Sequence, residues 1–187
     1  MSLLPDYQIA EELAYGELEI EPVDLEEQLQ PASLDIRLGN GFSQFNPEDG
    51  IIDVEEGIEN MFDETVPDNS EIIVYPGDFY IANTKESFDI PDYILGKLTG
   101  RSSVARLGIN VHQTAGLFDP GFNAPDGVLE ISNVGSRPVK LKPGMRIAQM
   151  TFHELKEPSN SPYNDEDNKY QGQEGVTKSR IEEDYES

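Results

Sequence analysis

The sequence predicts a mainly β fold: a distorted jelly roll or β-barrel of short strands, with a short N-terminal helix and a few small helices. Three observations predict it. Short segments of strand-like pattern recur about every 8–12 residues, the spacing of sandwiches and barrels. Pro-Gly pairs punctuate them, at Pro76-Gly77, Pro120-Gly121 and Pro143-Gly144. The clearest helical pattern lies at the beginning of the chain, before Gly16.

Residues 5–15 read as that helix. Pro5 suits a first turn, Asp6, Glu11 and Glu12 favour its N-terminal half, and Gly16 ends it. Ile9 and Leu13, four apart, share a face. Glu17–Glu21 then alternates as E-L-E-I-E. Ser33–Leu38 alternates as S-L-D-I-R-L, with Leu34, Ile36 and Leu38 on one face and Asp35 and Arg37 on the other. Residues 46–70 are acidic and broken by Pro and Gly, an excursion from the core. Ile72–Tyr75, a turn at Pro76-Gly77-Asp78 and Phe79–Thr84 make one strand–turn–strand unit. Val139–Leu141, Pro143-Gly144 and Met145–Glu154 make a second, which resembles the first too weakly to be a repeat. Ile94–Leu98 and Val128–Ser132 are further strands. From Pro158 the composition shifts to Asn, Ser, Asp, Glu, Gln and Gly. The division is therefore a β domain over 1–157 and a flexible tail over 158–187. The tail carries Tyr163, Lys169, Tyr170 and Gln173, which an inert linker does not require.

The bulk properties exclude several functions. The 187 residues suit one domain with a real core. No apolar run approaches the roughly 18 residues of a membrane span. The opening MSLLPDYQIAEEL lacks the basic and apolar regions of a secretory signal, so a cytoplasmic location is expected. There are no cysteines and two histidines, His112 and His153. Disulfides are excluded, as is the His/Cys/Cys zinc site of the common nucleobase deaminases. No zinc is expected, nor any metal held by protein side chains. The formal net charge of −24 should repel nucleic acid and anionic membranes, so neither is expected as a partner. Apolar periodic segments fill most of the chain, so the acidity fits a solvated, halophilic surface better than disorder. Of the thirteen basic residues, Arg37 alone falls in the first 84 positions and seven lie from Lys97 to Arg146. Such an island suits an anionic ligand, or pairs with neighbouring carboxylates.

Three segments carry chemistry. Gly100-Arg101-Ser102-Ser103-Val104-Ala105-Arg106-Leu107-Gly108 follows the strand Ile94–Leu98. Backbone N–H groups, hydroxyls and guanidinium forks are the groups that bind phosphate, and a helix starting at Ser102 would add its dipole. A serine-capped helix with two surface arginines is the plainer alternative. In His112-Gln113-Thr114-Ala115-Gly116-Leu117-Phe118-Asp119-Pro120-Gly121-Phe122, an aspartate before Pro-Gly is by itself a turn former. Val128-Leu129-Glu130-Ile131-Ser132 sets a carboxylate among apolar neighbours. Val128, Glu130 and Ser132 share one face, which is either a proton-shuttling wall or the wet side of an edge strand.

The strings QPASLDIRLG (30–39), GRSSVARLG (100–108), HQTAGLFDPGF (112–122), VLEISN (128–133), LKPGMRIAQMTF (141–152) and KYQGQEG (169–175) occur in this order. Together they closely resemble the dCTP deaminase family, a branch of the dUTPase-like superfamily, over roughly residues 3–181. The resemblance implies a dUTPase-like barrel assembled as a homotrimer with active sites between subunits. It implies hydrolytic deamination of dCTP without zinc, with Mg2+ carried by the triphosphate, in a pathway that supplies dUMP for dTTP. Glu130 matches the proton-shuttling glutamate. Ser102 and Arg106 match the residues that polarise the cytosine and stabilise charge, and the Ala115 carbonyl matches the group that holds the attacking water. Arg101, Ser102, Ser103, Val104, Ala105 and Arg106 match the phosphate-side motif. Asp119 matches a carboxylate near the deoxyribose. Val128, Leu129, Gln149, Tyr163, Lys169 and Gln173 match nucleotide contacts, the last three on a tail that closes over the site. Feedback inhibition by dTTP is a family trait, with residues around His112 as contributors.

The pair Gly116-Leu117 resembles members that also cleave dUTP to dUMP and pyrophosphate, where Asp119 would activate the second water; members releasing dUTP tend to carry a bulky His-Arg pair. One departure stands out. FNAPDGVL, between Gly121 and Glu130, is one residue longer than the family pattern, and Asn123–Gly127 is expected to absorb it as an enlarged hairpin turn. Two rival readings remain: a dUTPase that leaves dCTP alone, and a non-catalytic trimeric scaffold or nucleotide sensor.

Overall fold

The computed structural model describes residues 2–46, 50–55, 61–64, 71–164 and 168–185. In chain order it runs β1 (Ser2–Leu3), α1 (Asp6–Tyr15), β2 (Glu19–Glu21), α2 (Leu25–Gln28), β3 (Leu29–Gln30), β4 (Ser33–Phe45), β5 (Phe62–Glu64), β6 (Ile72–Val74) and β7 (Phe79–Thr84). It continues with β8 (Ser87–Asp89), β9 (Ile94–Gly100), α3 (Ser102–Ala105), β10 (Ile109–Asn110), β11 (Leu117–Phe118), β12 (Asn123–Ala124), β13 (Val128–Asn133), β14 (Val139–Leu141) and β15 (Arg146–Glu154). A 3-10 turn, Ile181–Asp184, comes last. The mainly β class expected from the sequence is the one found.

The largest sheet runs β10-β13-β7-β4-β15-β9-β11 and curls into a half-barrel; β1 adds to β15, and β3 and β5 add to β4. Its apolar face is continuous. Leu34, Ile36 and Leu38 of β4, Ile94 and Leu98 of β9, Leu129 and Ile131 of β13, and Met150 and Phe152 of β15 are all buried. Each such side chain contributes on the order of 1.5–3 kcal/mol. Helix α1 begins after Pro5, buries Ile9 and stops at Gly16, whose φ of 74° is left-handed. The two strand–turn–strand units meet in space: β6 pairs with β14, while β7 and β15 flank β4 on opposite sides.

Three features differ from expectation. Strand β4 runs on past Leu38 to Phe45, through Gly39-Asn40-Gly41, with a register slip against β7 between Leu38 and Phe42. Gly39 permits it, because a Cβ there would lie 2.3 Å from Asn83 Oδ1. The face of β4 carrying Asp35 is dry. Asp35 is 1% exposed, with Arg101 Nε at 3.1 Å and Arg146 Nη1 at 3.4 Å. Burial pushes its carboxyl up, against the pull of the two guanidinium groups. Finally, Asn123–Gly127 is no hairpin turn. Strand β12 pairs with β8 in a three-stranded sheet, whereas β13 pairs with β7, so this segment crosses between sheets. Most of the acidic excursion at 46–70 lies outside the described residues. Within it β5 pairs with Ser43–Phe45, and Phe62 meets Phe45 with ring centroids 3.9 Å apart.

Candidate active site

A cavity of about 360 Å³ opens where β7 and β13 meet the Ala115–Phe122 loop and the C-terminal segment. Strand alternation sets its first wall. Leu129 and Ile131 go into the core, so Val128 and Glu130 turn to the other side, with Ile81 beside them on β7. Glu130 is half-buried, and its Oε2 accepts the Gln113 backbone N–H at 2.6 Å. The Gln113 amide also donates to Ser132 Oγ at 2.8 Å and to the Glu130 carbonyl at 3.4 Å. One carboxylate oxygen is thus fixed, and Oε1 accepts no hydrogen bond among the described residues. That is the arrangement a proton-shuttling carboxylate needs, oriented by one oxygen and reactive at the other. The extra residue before Glu130 has not turned it away from the cavity.

The second wall comes from the loop. Ala115, Leu117 and Asp119 line the cavity, together with the buried rings of Phe118 and Phe122. Gly116 O accepts the Leu98 N–H at 2.7 Å, which pins the loop to β9. A Cβ on Gly116 would meet the Leu98 carbonyl oxygen at 2.7 Å, so a bulky residue would need another backbone path. Asp119 forms a turn, since its carbonyl accepts Phe122 N–H at 3.0 Å, and it also reaches the cavity.

The third wall is the C-terminal segment. Tyr163 packs against Phe122, with centroids 5.9 Å apart, and its N–H donates to the Pro120 carbonyl at 2.6 Å. Tyr163 and Gln173 line the cavity as the sequence suggested. Lys169 does not: its ammonium lies 2.6 Å from Asp184, which raises its pKa. The cation in the wall is Lys178, which also sits 5.6 Å from the centroid of the Phe62 ring. Tyr170, Thr177 and Ser179 complete the wall. Sequence reasoning assigned no role to Lys178 or Gln113. The signal for Lys178 was no more than its being one of three cations on the same tail, with Lys169 and Arg180.

The phosphate-type motif stands apart from this cavity. Arg101, Ser102, Ser103, Val104, Ala105, Arg106 and Gln149 do not line it. Helix α3 is a single turn entered through Arg101 and is not serine-capped, for no side chain caps its start. Val104 anchors it in the core, while Ser102, Ser103, Ala105 and Arg106 are exposed. Arg101 is committed to Asp35 and to the Arg146 carbonyl, 3.1 Å from its Nη1. Arg106 makes no ion pair among the described residues. Gln149 sits in β15 between Asp35 of β4 and Thr99 of β9. Leu107, just beyond, is an exposed apolar residue, as are Leu117 and Val134. Among the described residues no group of three or more His, Cys, Asp or Glu could hold a metal ion, and no helix is long and apolar enough to cross a membrane.

This curled barrel, with its cavity under a C-terminal strap, has the dUTPase-like fold. It superposes on the crystal structure of 2'-deoxycytidine 5'-triphosphate deaminase from Agrobacterium tumefaciens with a TM-score of 0.65 and 25% identity. That match covers 81% of this chain and 48% of the longer one. A family model described as dCTP deaminase-like matches residues 3–155, and the chain belongs to that family. Its relatives include a dCTP deaminase of Natronomonas pharaonis, 46% identical over 98% of this chain and 97% of that protein. A dUMP-forming dCTP deaminase of Halobacterium salinarum is 44% identical over 96% and 94%. Another of the same description, from Methanosphaera stadtmanae, is 41% identical over 99% and 96%.

Proposed function

We infer that this protein hydrolyses dCTP to dUTP and ammonia, then hydrolyses dUTP to dUMP and pyrophosphate. The observation that carries the reading is the placement of Glu130, held at one oxygen by Gln113, in one cavity with Ala115 and Asp119. Water held by the Ala115 carbonyl attacks C4 of the cytosine. Glu130 takes the proton and returns it to the departing ammonia, so one water enters and one ammonia leaves. Asp119 activates a second water for attack at the α-phosphorus, and pyrophosphate leaves. Gly116 and Leu117 leave room for this second step. Magnesium enters with the triphosphate.

Val128, Tyr163 and Gln173 contact the nucleotide, Leu129 offers only its backbone, and Lys178 takes the place expected of Lys169. Residues 158–187 act as the cover. The charge-stabilising half of the site, Ser102–Arg106 with Gln149, belongs to another copy of the chain in a homotrimer. The exposure of Ser102, Ser103, Ala105 and Arg106, and of Leu107 beside them, supports this. Product-type control by dTTP at the same cavity and a cytosolic setting complete the proposal.

The test is to incubate the protein with dCTP and magnesium in high salt and separate the nucleotides. Release of dUMP with pyrophosphate is expected. Accumulation of dUTP alone would remove the second step. Unchanged dCTP would overturn the deaminase, with dUTP cleavage then marking a plain dUTPase and tight binding without turnover marking a sensor. A monomer on a sizing column in molar salt would refute the shared site.

A further inference from the structure

The segment between β12 and β13 holds Asp126, and three contacts converge on it. Its Oδ1 accepts Asn83 Nδ2 at 2.6 Å. Its Oδ2 accepts the Gly175 backbone N–H at 2.8 Å, and its carbonyl accepts Gln173 Nε2 at 3.2 Å. Asn83 lies in β7, two residues beyond the cavity wall at Ile81. Its other side-chain atom, Oδ1, accepts the Gly41 N–H at 2.8 Å. The next residue, Gly127, is clipped to β7 by its own pair of bonds: Thr84 N–H to the Gly127 carbonyl and Gly127 N–H to Thr84 Oγ1, both 2.8 Å. Asp126 is therefore fixed on the barrel side by four bonds that do not involve the tail. Val176 follows, and a Cβ on Gly41 would lie 2.7 Å from its Cγ2.

We propose that Asp126 is a positioning residue: with Asn83 it forms a latch that fixes Gln173 and Gly175, and through them the wall formed by Thr177, Lys178 and Ser179, against the nucleotide cavity. The proposal rests on the reading of this segment as the cover of the nucleotide site. Both carboxylate oxygens are used, each by one N–H, and bonds to an ionised acceptor are the stronger kind. An amide cannot replace the carboxylate alone. In D126N the new side chain can accept from Gly175 only by turning its NH2 toward the NH2 of Asn83. In N83D two carboxylates would face each other. Exchanging the two residues restores every bond: the carboxylate moved onto β7 accepts from Gly41 and from the amide moved opposite it, whose oxygen accepts from Gly175.

The experiment compares wild type, D126N, N83D and the D126N/N83D exchange by hydrogen exchange of residues 168–180 and by steady-state kinetics with dCTP and magnesium. Each single variant is expected to speed exchange in 168–180 and to raise KM about tenfold, the loss of one charge-assisted hydrogen bond, with kcat within about twofold. The exchanged pair is expected to return both to wild type, which a nonspecific loss of stability would not do. Singles that exchange like wild type overturn the latch, and so does an exchanged pair that stays as impaired as the singles or fails to fold. Absence of dCTP turnover in wild type would remove the proposed function instead; exchange in the nucleotide-free protein would still decide the latch.

Discussion

Glu130 and Arg106 are the two poles of the expected chemistry, and the structure treats them differently. Glu130 sits in the middle of β13, half-buried, oriented by Gln113, on the wall of a cavity lined by the same chain. Arg106 follows a one-turn helix, exposed, outside that cavity and without an ion pair among the described residues. On the proposed function, one chain thus builds the proton-shuttling half of a site at Glu130 and displays the charge-stabilising half elsewhere, at Arg106. A family in which each site is shared between copies would produce this division.

The largest expected effect tests the first pole. E130Q keeps the shape and loses the proton shuttle, so ammonia release should fall by about 10³–10⁴-fold. Oε2 accepts a backbone N–H, which an amide oxygen can also do, so folding should survive. Retained ammonia release in a folded variant would put the chemistry somewhere other than β13. R106A tests the second pole. Because its side chain makes no hydrogen bond or ion pair among the described residues, Tm should stay within a degree or two, while kcat falls about 10²–10³-fold through lost charge stabilisation. Mixing the two inactive variants then separates shared from unshared sites. In randomly assembled trimers about a quarter of sites would combine both intact residues, and activity should reappear on mixing. If none returns after subunit exchange, Glu130 and Arg106 do not act across an interface.

Asp119 shares the cavity with Glu130 but is assigned the other reaction. D119N should cut pyrophosphate release by about 10²-fold, with ammonia release kept within about tenfold, so that dUTP builds up in a chromatographic time course. Equal loss of both products would make Asp119 a binding residue rather than the base of a second step.

These contrasts were partly legible in the sequence. The alternation of Val128–Ser132 was enough to place Glu130 opposite Leu129 and Ile131, because period-two patterning is a local property. The turns at Pro76-Gly77 and Pro143-Gly144 were legible for the same reason. What depends on distant partners was not. The alternation stops at Leu38, yet β4 continues through Gly39-Asn40-Gly41, and Gly39 fits there because it has no Cβ to meet Asn83. Asp35 reads as a residue of a polar face, and only the arrival of Arg101 and Arg146 makes that face dry. The tail supplied three cations, and composition cannot tell Lys169, taken by Asp184, or Arg180, bonded to the Lys169 carbonyl, from Lys178 in the wall.

The smallest effect provides the control for all of these. Glu71, just before β6, sits 2.8 Å from both Lys140 and Lys142, flanking β6 and β14 and clasping the pairing of the two strand–turn–strand units away from either pole. Hydrogen bonds from the two lysines hold its carboxyl down at about 2, against an ordinary value of 4.5. A depressed carboxylate stabilises the fold above the unfolded pKa and loses that contribution as pH falls through the folded one, here from 4.5 toward about 2. E71Q should therefore leave kinetics unchanged, lower Tm at neutral pH by no more than about 1–2 °C and flatten the acid limb of the stability curve in that window. The clasp is exposed, so its contribution should fade in molar salt, where the Debye length is about 3 Å. A loss of activity in E71Q would mean that the β6–β14 pairing reaches one of the two poles, and the poles could then no longer be treated as independent of the scaffold between them.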